Sequence, residues 1–275
     1  MEKLNVRPPV VSGLFYPSSN RELTKQIEGF VDKKAVKYSA LGCVLPHAGY
    51  VYSGAVAAET VSRIDLSQKD KIIILGPNHT GNGPEMSIMT EGFWQTPLGE
   101  IEIDSALAKK ILKRSKFLRA DSLAHEREHS IEVELPILQH FKESFDIVPI
   151  CIMSGDAAML TEAAGAIAGV VKESGKERSF LIVASSDMTH YEPLADAQKK
   201  DKEAIDAILQ LDPEKLLERV RLLDISMCGY APVFMMLKIA KALGAKKAEL
   251  VKYQTSAQAS GDISSVVGYA GITVN

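Results

Sequence analysis

The chain has 275 residues, 46% of them hydrophobic and 24% charged, with a formal net charge of −3 at pH 7. This composition is typical of a globular protein, and because no linker-like stretch divides the chain, we predict a single domain over residues 1–275. The absence of a basic stripe and of an apolar run of about 20 residues argues against nucleic acid or a membrane as a partner.

Helix-like and strand-like segments alternate along the chain. The helical pattern occurs near residues 20–33, 53–63, 104–114, 130–141, 156–174, 196–211, 213–222 and 230–243. Strand-like runs lie near residues 41–46, 71–76, 86–90, 146–152, 179–185, 248–254 and 265–274, whereas residues 92–104 indicate a loop or hairpin. Interior runs such as 72–75 and 180–184 are continuously apolar, which suits strands buried on both faces. We therefore predict an α/β fold, a three-layer α/β/α domain with a central, mostly parallel mixed sheet.

Two histidines each follow a strand-like run, and a helix-like stretch lies between them. His47 and His79 are 32 residues apart, which fits one βαβ unit of roughly 30 residues. If their strands are neighbours, about 4.8 Å apart, the two imidazoles can share a metal ion at the sheet edge. Asp187 and His190 follow a third strand-like run in the same way. The alternative is that each histidine only caps a loop through hydrogen bonds.

The three cysteines, Cys43, Cys151 and Cys228, are odd in number and far apart. This spacing argues against a disulfide framework and, with an N-terminus too polar for a signal peptide, favours the cytoplasm. Cys43 and Cys151 fall within strand-like runs, so we expect them in the core. Cys228 precedes a helix-like stretch, and a helix N-terminus favours the thiolate form that binds metals. A buried apolar cysteine is the alternative.

Residues 125–129 match the zinc-protease pattern H-E-x-x-H. In that mechanism two histidines share one helix face and the glutamate activates water. Here the helical periodicity begins only near Ser130, which places His125 in the preceding loop. A zinc protease based on His125 and His129 is therefore the less favoured interpretation, although His129 can still stand at a helix start near the strand-end site.

Several stretches of the chain resemble the Memo family, also described as protein B of the AmmeMemoRadiSam system. In the order of the family, they are residues 46–50, 75–79, 96–98, 128–132, 185–190 and 228–229, followed by a similar tail at 253–256 and 267–271. The resemblance covers nearly the whole chain. It implies a fold similar to that of the class III extradiol, LigB-like dioxygenases, which hold a non-heme Fe(II) ion with two histidines and a glutamate.

The resemblance also implies roles for individual residues. His47 and His79 would be the two imidazole ligands, and Cys228 would stand in place of the glutamate. His190 would be the acid/base, and Asp187 would lie in or beside the site.

Two further residues are candidates for substrate binding. Phe15 falls where some Memo proteins carry a tryptophan that lines the pocket, and His129 is expected near the same site. Both positions rest on the resemblance and on the order of the motifs.

From these residues we expect a metal-binding protein, a redox or oxygenase-like enzyme of unknown substrate in which His190 shuttles a proton and Asp187 orients it. Iron is the metal expected first, and the soft thiolate makes copper or zinc the alternatives. The alternative function is a non-catalytic pocket for a peptide or small anion, held by positive helix ends and histidines. The ligand is thus a small molecule or a peptide, and the system name implies a radical-SAM partner protein.

Overall fold

A computed structural model gives the structure of residues 5–275. The strands are β1 (Val6–Arg7), β2 (Gly42–Leu45), β3 (Lys71–Pro77), β4 (Met86–Ile88), β5 (Phe93–Thr96), β6 (Gly99–Glu102), β7 (Arg119–Ala120), β8 (Asp146–Ile152), β9 (Phe180–Ser185), β10 (His190–Glu192), β11 (Ala248–Thr255) and β12 (Val266–Val274). The helices are α1 (Asn20–Phe30), α2 (Tyr50–Ser62), α3 (Ser105–Arg114), α4 (Leu123–Glu126), α5 (Glu134–Phe141), α6 (Ala157–Glu173), α7 (Leu194–Leu209), α8 (Pro213–Leu222), α9 (Tyr230–Ala242) and α10 (Ala257–Ser260). Within residues 5–275, no helix combines the length and the apolar character needed to cross a membrane.

One mixed sheet runs through the centre of the molecule. Across residues 5–275 it contains nine strands, in the order β10-β12-β2-β9-β3-β8-β4-β7, with β11 paired to β12. The central strands β2, β9, β3 and β8 are parallel, whereas β12 joins β2 and β4 joins β8 in antiparallel fashion. The carboxyl ends of the four parallel strands therefore meet at one edge, where ligands bind in open α/β sheets.

Helices cover both faces of this sheet. Helix α2 packs on β2, β11 and β12 and contacts α1 and α5, whereas α9 packs on β2, β3 and β9 and contacts α6 and α8. The approach of α2 is close, because a Cβ on Gly271 of β12 would lie 1.9 Å from Thr60 Oγ1. Buried side chains of the helices and strands form one hydrophobic core. The predicted three-layer α/β/α fold is confirmed.

Residues 93–102 form a hairpin, as predicted for the segment 92–104. Strands β5 and β6 pair antiparallel, and β1 adds to β5 in a separate three-stranded sheet. Trp94 of this hairpin is fully buried, and the Arg7 guanidinium of β1 lies 4.0 Å from its ring centroid. The hairpin therefore fixes the N-terminal segment against the body of the protein.

The structure corrects some predicted boundaries. Helix α5 begins at Glu134 rather than near Ser130, because Ser130 is committed to tertiary hydrogen bonds. Its backbone N–H donates to Glu128, its hydroxyl donates to Pro77 and its carbonyl accepts from Ser185. Helix α2 begins three residues earlier than predicted. The short elements β1, β7, β10, α4 and α10 have two to four residues each, too few for a periodic pattern to reveal them.

Candidate metal centre

His47, His79 and Asp187 lie just beyond the carboxyl ends of three parallel strands, as predicted. The topology differs from the prediction in one respect, because β9 lies between β2 and β3 and the histidine-bearing strands are not neighbours. Two steps of about 4.8 Å separate such strands. The two rings nevertheless lie with centroids 5.2 Å apart. His47 bends toward β9, where its Nδ1 lies 2.7 Å from Ser185 Oγ.

Cys228 completes a group of three side chains able to bind a metal. It lies two residues before α9, and its Sγ is 3.3 Å from His47 Nε2. One nitrogen of His47, one nitrogen of His79 and this sulfur all lie within 4.8 Å of one another. Ligand atoms about 2.1–2.3 Å from one tetrahedral ion lie roughly 3.5 Å apart. Small side-chain adjustments would therefore let the three residues share one ion.

The backbone holds the Cys228 sulfur close to β9. A Cβ at Gly229 would lie 2.3 Å from the Ser185 carbonyl oxygen, so this close approach requires glycine. Burial and the Asp187 carboxyl raise the pKa of the Cys228 thiol, and backbone N–H groups only partly oppose them. In the metal-free protein these effects oppose the thiolate that the start of α9 was expected to favour. A bound cation would be needed to hold the sulfur as a thiolate.

His47 is a neutral, enclosed imidazole. Burial, followed by the neighbouring histidines His129, His79 and His190, lowers its pKa. Its backbone N–H donates to Asp187 Oδ1 at 2.9 Å, which fixes the loop after β2 to the loop after β9. A neutral imidazole is the form that binds a metal ion.

Glu128 holds His79 through both carboxylate oxygens. Oε1 lies 2.9 Å from His79 Nδ1, and Oε2 accepts the His79 backbone N–H. Burial by itself raises the pKa of Glu128, but its hydrogen bonds and the charges of His79 and His129 lower it to about 2. Burial lowers the pKa of His79, but the hydrogen bond and charge of Glu128 outweigh this effect and raise it. Since Nδ1 donates to Glu128, Nε2 is the His79 atom left to bind a metal.

His129 and Phe15 form one wall beside these ligands. The His129 ring stacks on His79 with centroids 4.8 Å apart, and the Phe15 ring lies 5.0 Å from His129. Glu132 fixes the segment that carries Phe15. Its buried carboxylate accepts the Tyr16 hydroxyl at 2.6 Å and two backbone N–H groups of the same segment.

Asp187 and His190 form the opposite side of the site. Burial raises the pKa of Asp187 to about 6, against the effects of His190 and of backbone N–H groups. Ser226, rather than Asp187, orients His190, which corrects the sequence-based interpretation: His190 Nδ1 lies 2.9 Å from the Ser226 carbonyl oxygen. Because a carbonyl only accepts, Nδ1 carries a proton, and Nε2 is the ring nitrogen left for another partner.

A cavity of about 750 Å³ opens beside the histidines. The candidate residues that line it are Phe15, His47, His79, His129, Asp187 and His190. Tyr52, Tyr191 and Tyr269 add aromatic rings to its walls. Among the lining residues in the described part of the chain, none is lysine or arginine, whereas Asp187 and Asp262 are acidic. The cavity is therefore aromatic, and its described lining contains no lysine or arginine.

A bulge in β10 directs two successive side chains into this cavity. His190 pairs with Val267 and Glu192 pairs with Val266, so Tyr191 is an extra residue in the strand. Tyr191 has a φ of 59°, in the left-handed region. Regular strands alternate their side chains between faces, but here both His190 and Tyr191 line the cavity.

The chain is similar in sequence to known proteins over almost its full length. A family model described as "Memo-like protein" matches residues 7–273. The chain belongs to the Memo family. A MEMO1 family protein of Methanocaldococcus jannaschii is 43% identical, over 98% of this chain and 99% of that protein. A MEMO1 family protein of Methanopyrus kandleri is 42% identical over 97% of this chain and 98% of that one. An uncharacterized protein of Escherichia coli K12 shares the fold, with a TM-score of 0.55 and 14% identity over 84% of this chain and 98% of that one.

The H-E-x-x-H pattern does not form a zinc site in this Memo-family chain. His125 lies in the short helix α4 rather than in a loop, is fully buried, and places its Nδ1 3.2 Å from Cys151 Sγ. His129 faces the cavity instead. Within residues 5–275, His125 belongs to no cluster of side chains that could hold a metal. The zinc-protease alternative is therefore wrong. Cys151 and Cys43 are buried, and this expectation is confirmed.

Sequence reasoning found the candidate ligands but not the groups that support them. Glu128, Glu132 and Glu134 are each fully buried in the Memo-family structure, and each bonds a different part of the site. A signal was present in the sequence: these three acidic residues lie close together at and just before the start of the largely apolar helix α5. Buried carboxyl groups almost always have partners.

Proposed function

We propose that this Memo-family protein binds a transition-metal ion through His47, His79 and Cys228 and is a redox or oxygenase-like enzyme. The observation that supports this most directly is the group of two imidazole nitrogens and one sulfur within 4.8 Å of one another. The group lies at the carboxyl edge of the parallel strands and beside a cavity of about 750 Å³. A substrate in that cavity would be close to the ion.

The neutral ring of His47 and the free nitrogen of His79 support the same proposal. The lowered pKa of His47 keeps its ring neutral, and the contact with Glu128 leaves Nε2 of His79 free. Two imidazoles and one thiolate leave positions open, as in the sites of two histidines and one carboxylate that bind iron, so iron is our first candidate. The soft thiolate makes copper(I) and zinc the competing candidates. Such an ion supplies Lewis-acid chemistry and, for iron or copper, redox chemistry.

His190 is the proposed acid/base. Its Nδ1 proton is held by the Ser226 carbonyl oxygen, so Nε2 is the atom that would accept and return a proton. Asp187, with a pKa of about 6 in the metal-free protein, is the second group that would hold a proton near neutral pH. Phe15 and His129 would position the substrate against the other wall.

The cavity favours a neutral or cationic ligand with an aromatic or apolar part. Its walls are rich in tyrosine, and its acidic side chains are not balanced by lysine or arginine among the described lining residues. An anion would find no lysine or arginine in such walls and would depend on the histidines for a charged hydrogen bond. This weakens the alternative of a pocket for a small anion and leaves a small molecule or a peptide with an aromatic side chain as the proposed ligand.

Metal analysis tests the ligand set. Protein purified anaerobically and reconstituted separately with Fe(II), Cu(I) or Zn(II) is expected to retain about one ion per chain with at least one metal. His47→Ala, His79→Ala and Cys228→Ala are each expected to lose that ion. His140→Ala and Cys43→Ala are the matched controls and should keep it, because neither side chain belongs to the cluster.

Two results would contradict the proposal. Full retention of the ion by His79→Ala or Cys228→Ala would refute the ligand set. A wild-type protein that binds none of the three metals would favour the non-catalytic pocket, whose ligands should then bind the metal-free protein. The role of His190 is tested with His190→Gln, which should keep the ion but slow any oxygen uptake that the Fe(II) form of the wild type shows at an oxygen electrode.

A further inference from the structure

The Ser185 hydroxyl at the end of β9 has three close polar neighbours. Its Oγ lies 2.7 Å from His47 Nδ1, 2.7 Å from the Ser130 carbonyl oxygen and 2.9 Å from Glu134 Oε1. A hydroxyl offers one proton and two lone pairs. The Ser130 carbonyl can only accept. If all three contacts are hydrogen bonds, Ser185 must therefore donate its single proton to this carbonyl. The other two neighbours must then both donate to Ser185.

An ionised Glu134 does not satisfy this arrangement. A carboxylate only accepts, so it would compete with the Ser130 carbonyl for the one proton of Ser185. One of the two oxygen contacts would then place lone pairs against lone pairs in a fully buried position. A protonated Glu134 removes the conflict, because it donates from Oε1 to Ser185 while Ser185 donates to Ser130. The last lone pair of Ser185 then accepts from His47 Nδ1.

We propose that Glu134 is a neutral carboxylic acid that fixes the tautomer of His47 through Ser185. The relay places the imidazole proton on Nδ1 and leaves the Nε2 lone pair facing Cys228, 3.3 Å away. Glu134 is thus a positioning residue for His47. The effect of Glu134 on metal binding rests on the proposed function. The protonation of Glu134 and the tautomer of His47, by contrast, are properties of the metal-free protein.

The surroundings of Glu134 support the neutral form. Its side chain is fully buried, and its Oε2 has no hydrogen-bond partner among residues 5–275. Burial raises the pKa of Glu134 well above its ordinary value and outweighs the opposite effect of the Ser185 hydrogen bond, and the charge of Asp187 adds to the effect of burial. The nearby Tyr50 hydroxyl offers no compensation, because it donates to the Val133 carbonyl oxygen at 2.8 Å. An unpaired carbonyl oxygen is far less costly to bury than an unpaired charged oxygen.

The matched variants are Glu134→Gln, which keeps a neutral donor for Ser185, and Glu134→Leu, which removes it. In metal-free protein labelled with ¹⁵N at histidine, two-bond ¹H–¹⁵N spectra near neutral pH should show the Nδ1–H tautomer of His47 in the wild type and in Glu134→Gln. Glu134→Leu should populate the Nε2–H tautomer. Infrared difference spectra between the wild type and Glu134→Gln should show the C=O band of a protonated carboxylic acid.

Co(II) binding, measured by competition with a chelator, gives the second readout. Glu134→Gln should bind within about twofold of the wild type, and Glu134→Leu about 10- to 100-fold more weakly, as for other groups that orient a metal-bound histidine. Loss of affinity in Glu134→Leu and Ser185→Ala should not add in the double variant, because both remove the same relay.

The proposal is overturned if the infrared band is absent, if the wild type shows Nε2–H at His47, or if Glu134→Gln disturbs the tautomer as much as Glu134→Leu. If Glu134→Leu does not fold, the infrared band and the tautomer of Glu134→Gln still decide the question. A wild type that binds neither Co(II) nor any of Fe(II), Cu(I) and Zn(II) would refute the proposed function, while the two spectroscopic tests of the metal-free protein would still confirm or refute the role of Glu134.

Discussion

Replacing Glu128 with alanine keeps His79 as a candidate ligand but removes the carboxylate that holds it. The change therefore tests what Glu128 contributes to protein stability and to metal binding. The Glu128 carboxylate accepts the His79 ring N–H, the His79 backbone N–H and the Ser130 backbone N–H. Each buried donor left without a partner costs about 1–3 kcal/mol. The His79 side chain is 35% exposed, so water can replace the ring contact. The two backbone donors remain, and we expect the free energy of unfolding to fall by about 2–4 kcal/mol.

The same change should weaken metal binding by about 10- to 100-fold, because the His79 ring loses the partner that fixes its tautomer and orientation. Urea denaturation of the metal-free protein measures the first effect, and Co(II) competition with a chelator measures the second. Glu126→Ala is the matched control, since Glu126 is exposed and only two residues away; its stability should stay within about 0.5 kcal/mol of the wild type. Wild-type Co(II) affinity in Glu128→Ala would refute the reasoning.

Three further predictions test other parts of the structure. Burial lowers the pKa of His125 to about 4, so the unfolded chain binds more protons than the folded chain between about pH 4 and 6.5. The free energy of unfolding should therefore increase by up to about 3 kcal/mol as the pH rises through that window. Urea titrations should show a weaker pH dependence of this free energy for His125→Leu, and an unchanged dependence would contradict the prediction. Tyr191→Gly should raise the unfolding free energy by about 0.5–1 kcal/mol by relieving the left-handed backbone, whereas Tyr191→Ala should not, and a glycine variant less stable than the alanine variant would refute the strain. Gly229→Ala should push Cys228 away from Ser185 and weaken Co(II) binding at least about tenfold as the overpacked contact shifts the loop; a wild-type thiolate-to-Co(II) absorption band would show that the loop tolerates a Cβ.

Sequence patterns predicted the parts of the site that depend on local order. A polar residue after an apolar run marks a strand end, so His47, His79 and Asp187 could be placed at one sheet edge. The position of β9 between β2 and β3 could not be predicted, because strand order depends on contacts between distant segments. The partner of His190 was misassigned for a similar reason: the Ser226 carbonyl is 36 residues away along the chain, and a backbone atom leaves no signature in a sequence.

An ionised carboxylate, Glu128, holds His79, whereas a neutral carboxylic acid, Glu134, is the proposed support of His47. The charge of the site explains this difference. A divalent ion with the Cys228 thiolate would leave one positive charge in the site, and ionised Glu128 balances it from behind His79. A second buried carboxylate at Glu134 would add a negative charge beside Asp187 in surroundings of low polarity, where an unbalanced charge is most costly. A neutral Glu134 therefore suits the electrostatics as well as the proton of Ser185. In the metal-free protein Asp187, whose pKa is about 6, is then the carboxyl group in this set whose charge can change near neutral pH, next to the cavity where a substrate would bind.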